Sequence, residues 1–330
     1  GIDCDGDGST TEWSDVATFT TMAQKHFVTE GDWNVATNWS PEGLPMTGED
    51  VFIDAAATIP AGYLANVGHI TLNEGGAITL KDGGQLRHTN GYADDVTVTI
   101  EKDIIGYGES TNNVHYYFIA PAPFNQTKLP TQVTNMLENE YDLYDFNPIV
   151  DDQLEWINYK NPNVTSFKLR STHGYLYANS DTITLSVTGP AISSTSGGAS
   201  LQFTYNPDAS YMFKGWRLAG NTYLCNGYVY FTDNSNNIIP TEFYQMNETG
   251  DGYNQITSAD PLKPFEGVFV YTENSGIIKF SPDPIASRSG ALTMNLSHNG
   301  ANIDMARVRF GEGQSLAKRS FRENSSKIYN

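Results

Sequence analysis

An internal repeat of about 100 residues constrains the fold of this 330-residue chain more than any other sequence feature. Each copy contains three strand-like segments that are rich in aromatic residues and end at Gly, Pro or Asn corners. The paired segments are 116–121 and 214–221, 141–147 and 242–247, and 173–179 and 266–271. Aromatic and aliphatic residues at alternating positions are what the inner faces of packed sheets require. The repeat therefore predicts a duplicated antiparallel β-sandwich, jelly-roll-like, with two similar halves.

Alternation of apolar and polar residues extends over nearly the whole chain and indicates β-strands. Runs such as 96–100 and 183–187 consist mainly of Val, Ile, Leu and Thr, which favour pleated, half-buried strands. Helical spacing occurs only at Val133, Met136 and Leu137, where it predicts two or three turns of helix. The predicted fold class is therefore all-β.

Short apolar strands alternate with glycine-rich corners between residues 31 and 105, at intervals of about ten residues. Such strands, stacked in parallel, would bury their aliphatic side chains in one shared column. We therefore predict a short β-solenoid-like segment, which needs a neighbouring unit to cover its end. The predicted divisions are 1–21 for an N-terminal hairpin, 22–105 for the solenoid-like segment, 106–200 and 201–290 for the sandwich halves, and 291–330 for C-terminal strands packing on the sandwich.

The first 21 residues read as two strands joined by a tight Asp-Gly turn, and they resemble the last hairpin of a fibronectin type III module. Their acidic residues Asp3, Asp5 and Asp7 also fit the first half of a calcium-binding loop. The second half does not fit, because Ser14 occupies the position where a bidentate Glu is needed. We favour a structural turn, with calcium binding by the three aspartates as the alternative.

Catalytic and cofactor motifs are absent from the sequence, which contains no HExxH, GxSxG, P-loop or CxxC pattern. The six histidines are dispersed, so no pair has the spacing of metal ligands. One dense group of acids could support glycoside hydrolysis, but we interpret it as a solvated loop. Its members are Asp142, Asp145, Asp151, Asp152 and Glu155. We predict no catalytic residue, no metal site, no cofactor and no enzymatic activity.

The net charge of −19 argues against nucleic acid as a partner, because an acidic protein repels phosphate backbones. Apolar runs such as 267–271 have the length of a strand, far below the roughly 20 residues of a membrane-spanning helix. We therefore predict no transmembrane segment.

Aromatic side chains are the remaining candidates for ligand binding, since sugar rings stack on them. Trp33 and Trp39 are the two candidates for a glycan platform. The alternating positions of Tyr116, Phe118, Tyr175 and Tyr177 favour burial of one sheet face instead.

Segments of the second copy and of the C-terminal strands resemble the C-terminal regions of large secreted or surface-anchored Bacteroidetes-type proteins. The resemblance is carried by 215–221, 243–247, 264–270 and 303–311. It implies a secreted or cell-surface, outer-membrane-associated location and an adhesive or structural role, with a protein or glycan partner. The alternative is a carbohydrate-binding accessory region of a larger polysaccharide-degrading protein.

Overall fold

A computed structural model of the chain describes residues 23–90, 96–109, 115–121, 126–149, 155–190, 192–194, 198 and 200–285, together with the backbone of 290–298 and 301–310. Within these residues the chain forms 24 strands and three short 3₁₀ helices, which confirms the predicted all-β class. The predicted N-terminal hairpin and its candidate calcium ligands Asp3, Asp5 and Asp7 lie outside the described residues.

Parallel pairing organises the N-terminal unit, residues 25–104. Its strands are β1 (Lys25–Phe27), β2 (Gly31–Asp32), β3 (Trp39–Ser40), β4 (Val51–Ile53), β5 (Ala56–Ile59), β6 (Leu64–Asn66), β7 (Ile70–Leu72), β8 (Ala77–Leu80), β9 (Gln85–Arg87) and β10 (Thr97–Ile104), and a 3₁₀ helix covers Ala36–Asn38. Parallel ladders join β1 to β4 and β7, β2 to β5, β8 and β10, and β6 to β9. Aliphatic residues from these ladders, such as Ile53, Ile59 and Ile78, share one buried core. The finer designation of this unit as a solenoid stays a prediction.

Trp33 and Trp39 belong to that core, and this corrects their prediction as glycan platforms. Their residues are 1% and 2% exposed. Phe27 packs on both indoles, with ring centroids 6.2 Å from Trp33 and 5.0 Å from Trp39. The Trp39 Nε1 donates a hydrogen bond of 2.8 Å to the Trp33 carbonyl. Burial therefore leaves neither indole accessible to a sugar. The prediction failed because the spacing of aromatic residues alone does not distinguish a core cluster from a surface platform.

The first half of the repeat begins after a 3₁₀ helix at Tyr107–Glu109. Its strands are β11 (Tyr117–Ile119), β12 (Tyr141–Phe146), β13 (Trp156–Asn158), β14 (Tyr175–Asn179) and β15 (Ile183–Pro190). Four of them form an antiparallel sheet in the order β11-β14-β12-β13. The fifth, β15, pairs antiparallel with β10, so it extends a sheet of the N-terminal unit. One hydrophobic core therefore continues from the N-terminal unit into the first half.

The helix predicted around Val133 and Met136 is wrong. A 3₁₀ helix covers only Pro130–Gln132, and a bridge residue, bends and turns follow it. Val133 and Met136 are nevertheless buried, at 4% and 0% exposure. Their spacing reflects the burial of a turn-rich segment against the sheet rather than an amphipathic helix.

The second half contains two complete sheets. Its strands are β16 (Leu201–Phe203), β17 (Trp216–Gly220), β18 (Tyr228–Asp233), β19 (Glu242–Met246), β20 (Tyr253–Ile256), β21 (Gly267–Tyr271) and β22 (Gly276–Ser281). The sheets have the orders β17-β21-β19-β20 and β16-β22-β18. Their inner faces bury residues such as Phe203, Phe231 and Val268. The strands β23 (Gly290–His298) and β24 (Ala301–Phe310) then pair with each other.

The four-stranded sheets of the two halves repeat the same topology, as the sequence repeat predicts. In each sheet the strands lie in the order first, fourth, second, third. The strand register also repeats. Tyr144 lies opposite Leu176 in the first half, and its repeat equivalent Tyr244 lies opposite Phe269, the equivalent of Leu176, in the second. Even an uncommon backbone feature is shared: Thr172 and Phe265 have φ angles of 72° and 70°, in the left-handed region, at equivalent places before β14 and β21.

Candidate functional site

The two halves contact each other reciprocally at their four-stranded sheets. The Ala120 amide donates a hydrogen bond of 2.7 Å to the Phe265 carbonyl. Its repeat equivalent, the Gly220 amide, donates one of 2.8 Å to the Thr172 carbonyl. Two equivalent contacts in opposite senses are the signature of a two-fold-like interface, here formed within one chain.

Aromatic side chains fill the contact between the sheets. The Phe269 ring of the second half meets Phe118 edge-on at 4.8 Å and Phe146 edge-on at 5.0 Å. Leu218, the repeat equivalent of Phe118, completes the buried cluster. Edge-to-face pairs at these distances stabilise the contact beyond the area they bury, by about 0.5–1.5 kcal/mol each.

A cleft of about 460 Å³ opens to solvent beside this cluster. We call it the aromatic cleft and define it by the residues that line it, which come from both halves. They are Tyr116, Tyr144, Trp156, Leu176, Met246 and residues 250–253. Its volume lies within the range of small-molecule and oligosaccharide sites.

Tyr253 and Trp156 supply the largest aromatic surfaces of the cleft. Tyr253 is 56% exposed, and one face of its ring stacks on Phe118 at 5.6 Å with an interplanar angle of 10°. Phe269 also meets Tyr253 edge-on at 6.0 Å, and more than half of the tyrosine surface stays exposed. Trp156 is half-buried, held from behind by Phe146 at 4.9 Å and by Phe269 at 5.8 Å. Packing thus fixes both rings before any ligand binds.

Carboxylates and tyrosine hydroxyls provide the polar groups at the cleft. The Tyr116 hydroxyl donates a hydrogen bond of 3.2 Å to Asp142 Oδ2. Burial and the neighbouring Asp142 carboxylate raise the pKa of Tyr116 to about 12, so this hydroxyl keeps its proton near neutral pH. On the other wall, Asp251 Oδ1 accepts hydrogen bonds from Thr249 Oγ1 at 2.6 Å and from Asn247 Nδ2 at 2.9 Å. These groups can exchange hydrogen bonds with ligand hydroxyls.

A second, polar cavity of about 510 Å³ lies where the N-terminal unit and both halves meet. Its central group is Lys102, whose Nζ lies 3.1 Å from Asp82 Oδ1 and 3.3 Å from Glu266 Oε1. Burial works against the charged amine, but the Glu266 and Asp82 carboxylates outweigh it and raise the pKa of Lys102. Gln245 Nε2 donates a further hydrogen bond of 3.1 Å to Glu266 Oε2. Lys102 and its two partner carboxylates thus join the N-terminal unit to the second half.

The acids that we interpreted as a solvated loop are distributed differently. Asp142 and Asp145 lie in strand β12, so the loop assignment is wrong for these two. Asp145 accepts a hydrogen bond of 2.6 Å from Arg170 Nη2, and burial raises its pKa in spite of that arginine. Asp151 and Asp152 lie outside the described residues, and Glu155 immediately precedes β13.

The aromatic cleft was not predicted from the sequence, although Tyr116 had been noted for its alternation. Phe118, Tyr175 and Tyr177 are buried as the alternation predicts, whereas Tyr116 is half-buried in the wall of the cleft. Trp156 and Tyr253 occupy equivalent positions of the two copies, opposite Phe146 and Met246 in their hairpins. An alignment of the two copies strand by strand would have shown that an aromatic residue occupies this position in both.

Within the described ranges, no group of three or more His, Cys, Asp or Glu side chains is arranged to hold a metal ion. No helix in that part of the chain is long and apolar enough to span a bilayer. Comparisons with protein-family models, curated proteins and solved structures find no match to this chain.

Proposed function

We propose that this chain is a non-enzymatic adhesion module whose aromatic cleft binds a carbohydrate. The observation that carries the proposal is the cleft itself, in which four aromatic side chains from both halves surround about 460 Å³ of accessible space. Pockets with mostly apolar walls and a few well-placed polar groups are typical ligand sites.

A sugar matches the chemistry of this cleft better than a wholly apolar ligand. The axial C–H groups of a pyranose form an apolar face that packs on an aromatic ring such as Tyr253. Its hydroxyl groups donate hydrogen bonds to carboxylates, and Asp251 lies in the wall of the cleft, while Asp142 holds the hydroxyl of the wall residue Tyr116. The rigid support of Tyr253 and Trp156 by neighbouring phenylalanines reduces the entropy that binding must remove.

The arrangement of the acids supports a binding role rather than hydrolysis. A glycosidase needs one carboxyl group that keeps a proton and can donate it to the leaving oxygen. In the polar cavity, the carboxylates of Asp82 and Glu266 both pair with the ammonium group of Lys102, so both are engaged within the protein. Beside the aromatic cleft, Asp142 accepts a hydrogen bond from the Tyr116 hydroxyl, and in its wall Asp251 accepts hydrogen bonds from Thr249 and Asn247. Asp145, whose pKa is raised by burial, binds Arg170 and does not line the cleft.

A secreted or cell-surface location is part of the proposal, supported by the resemblance of segments 215–221, 243–247, 264–270 and 303–311 to bacterial surface proteins. In that setting the cleft would hold a glycan of a neighbouring surface. The same cleft would serve equally well as the carbohydrate-binding accessory part of a larger polysaccharide-degrading protein.

The test is affinity-gel electrophoresis against neutral, acidic and amino polysaccharides, followed by isothermal titration calorimetry with oligosaccharides of the best binder. Tyr253→Ala removes an exposed ring, so it should leave the fold intact and weaken binding at least tenfold, about 1.4 kcal/mol. Trp156→Ala should have a similar effect. Tyr230→Ala is the matched control, because Tyr230 is a half-buried tyrosine of β18, in the other sheet of the second half.

Uniformly absent binding across the glycans would contradict the proposal and favour a purely structural or protein-binding role. Unchanged affinity in Tyr253→Ala and Trp156→Ala would place the sugar elsewhere on the molecule and would also overturn it.

A further inference from the structure

The wall of the aromatic cleft that contains Tyr116 and Tyr144 has a repeat equivalent in the second half. We call each of these two aromatic groups a corner. Strands β11 and β17 are in register with β14 and β21, so Tyr116 corresponds to Trp216. Strands β12 and β19 align in the same way, so Tyr144 corresponds to Tyr244. The preceding acids on these strands, Asp142 and Glu242, are equivalent as well.

Each corner contains a tyrosine hydroxyl bound to the equivalent acid, although the tyrosine comes from a different strand position in the two copies. In the first half Asp142 accepts the hydroxyl of Tyr116 at 3.2 Å. In the second half Glu242 Oε2 accepts the hydroxyl of Tyr244 at 2.5 Å. The Tyr244–Glu242 hydrogen bond raises the pKa of Tyr244, as does partial burial. The same chemical combination of ring, hydroxyl and acid therefore occurs twice.

The second corner consists of three rings that are tilted against one another. The Trp216 indole lies 5.5 Å from the Tyr244 ring and 5.0 Å from the Tyr271 ring, each at an interplanar angle of 41°. Trp216 also meets Phe269 edge-on at 5.7 Å, which anchors the group to the contact between the halves. Tyr271 stands where the first half has Ala178, a residue that is 1% exposed. Tyr271 thus adds a third ring to this corner, and we call the group of Trp216, Tyr244 and Tyr271 the platform.

The rings of this platform reach the surface. Trp216, Tyr244 and Tyr271 are each half-buried, and Glu242 and Glu273 beside them are exposed. The Tyr271 hydroxyl donates a hydrogen bond of 2.9 Å to Glu273 Oε1. Three partly exposed rings bordered by two carboxylates present an apolar surface edged by hydrogen-bond acceptors, which is the chemistry that pyranose rings require.

We propose that Trp216, Tyr244 and Tyr271, with Glu242, form a second carbohydrate site, so that one chain binds two sugar segments. The inference rests on the proposed function of the aromatic cleft and extends it to bivalent binding. Half-buried rings at the surface enclose a sugar less completely than a cleft does, so we expect the second site to bind more weakly. Two linked sites raise the apparent affinity for a polysaccharide above that for a short oligosaccharide.

Isothermal titration calorimetry with neutral β-1,4-linked hexasaccharides of glucose, mannose and xylose tests this inference. For the hexasaccharide that binds, the expected stoichiometry is two per chain, with two affinities that differ at least tenfold. Tyr271→Ala should abolish the weaker event and leave the stronger unchanged, and Trp216→Ala should do the same. Tyr253→Ala should weaken the stronger event alone, while Tyr230→Ala changes neither.

Trp216 also packs on Phe269, so circular dichroism and thermal unfolding must show that each variant is folded. Tyr271→Ala and Glu242→Gln alter groups at the surface and keep the test valid if Trp216→Ala unfolds. A stoichiometry of one, unaffected by Tyr271→Ala and Glu242→Gln but sensitive to Tyr253→Ala, overturns the second site and leaves the cleft in place. Absence of binding by the wild-type chain overturns both.

Discussion

Lys102 links the N-terminal unit to the second half through an ion pair with Glu266, and it also pairs with Asp82 of its own unit. Its side chain is 8% exposed, and the partner carboxylates of Asp82 and Glu266 are 20% and 14% exposed. We predict that Lys102→Met lowers the free energy of unfolding by on the order of 3 kcal/mol, because it leaves two largely buried carboxylates without their counter-charge. Denaturant titration measures this loss.

Lys81 provides the matched control for that experiment. It pairs with Glu101 at 2.8 Å, but its side chain is 49% exposed. An exposed ion pair contributes roughly 0–1 kcal/mol, so Lys81→Met should change the unfolding midpoint little. Equal losses in the two variants would show that Lys102 is not a specific link between the parts.

His173 should make the protein sensitive to mild acid. Burial, together with the positive charges of Arg170 and Arg217, lowers the pKa of His173 from 6.5 to about 4. Between these values the unfolded chain binds more protons than the folded chain, so stability falls as the pH drops from about 6.5 to about 4. With allowance for partial exposure, the loss is on the order of 2 kcal/mol.

The check is the free energy of unfolding of wild type and His173→Gln measured from pH 7.5 to pH 4. The variant should lose this component of the pH dependence and have a shallower slope. Parallel curves for the two proteins would contradict the assignment.

At the scale of elements, the crossing of the two halves requires small residues where β14 begins. A Cβ on Gly174 would lie 2.8 Å from the Ala219 carbonyl oxygen and 2.8 Å from Leu218 Cγ. At its repeat equivalent, Gly267, the nearest atoms would be 3.2 Å and 3.3 Å away. We predict that Gly174→Ala lowers stability by about 1–3 kcal/mol and Gly267→Ala by less.

Thermal and denaturant unfolding of the two glycine variants measure this difference. Because both sites have the same place in the repeat, each variant is a control for the other. A larger loss of stability for Gly267→Ala would contradict this prediction. It would mean that the close approach of Gly174 to β17 is not the tightest point of the contact between the halves.

Strands were predictable from the sequence because their signal is local. Alternating apolar residues over 183–187 lie within strand β15, and the equivalent segments of the repeat form equivalent strands in the same order. The helix near Met136 was mispredicted because a buried turn and a short amphipathic helix share the same spacing of apolar residues.

The cleft was not predictable in the same way, because its walls come from residues about 100 positions apart. Whether an aromatic residue faces solvent depends on which element covers it. Trp33 and Trp39 are covered by their own unit, whereas Trp156 and Tyr253 meet at the edge of the contact between halves. Neither the composition nor the spacing of residues shows which aromatic side chains lie at the edge of the contact between the halves.

At the scale of the whole molecule, the net charge of the chain and the charge in the wall of the cleft both disfavour an anionic ligand. The chain has a net charge of −19, and the charged residue in the wall of the cleft is Asp251. Acidic polysaccharides would be repelled both by the overall field and by this carboxylate. We therefore expect the ligands to be neutral sugars or amino sugars.

The five tryptophans allow the central claim to be tested in one titration. Each indole N–H gives a separate signal in a ¹⁵N–¹H correlation spectrum, and single Trp→Phe variants assign the signals. Trp156 lies in the aromatic cleft, while Trp33 and Trp39 are buried in the N-terminal core. With a neutral hexasaccharide that the protein binds, the account predicts a shift of the Trp156 signal and constant Trp33 and Trp39 signals. An unchanged Trp156 signal at saturation would contradict it.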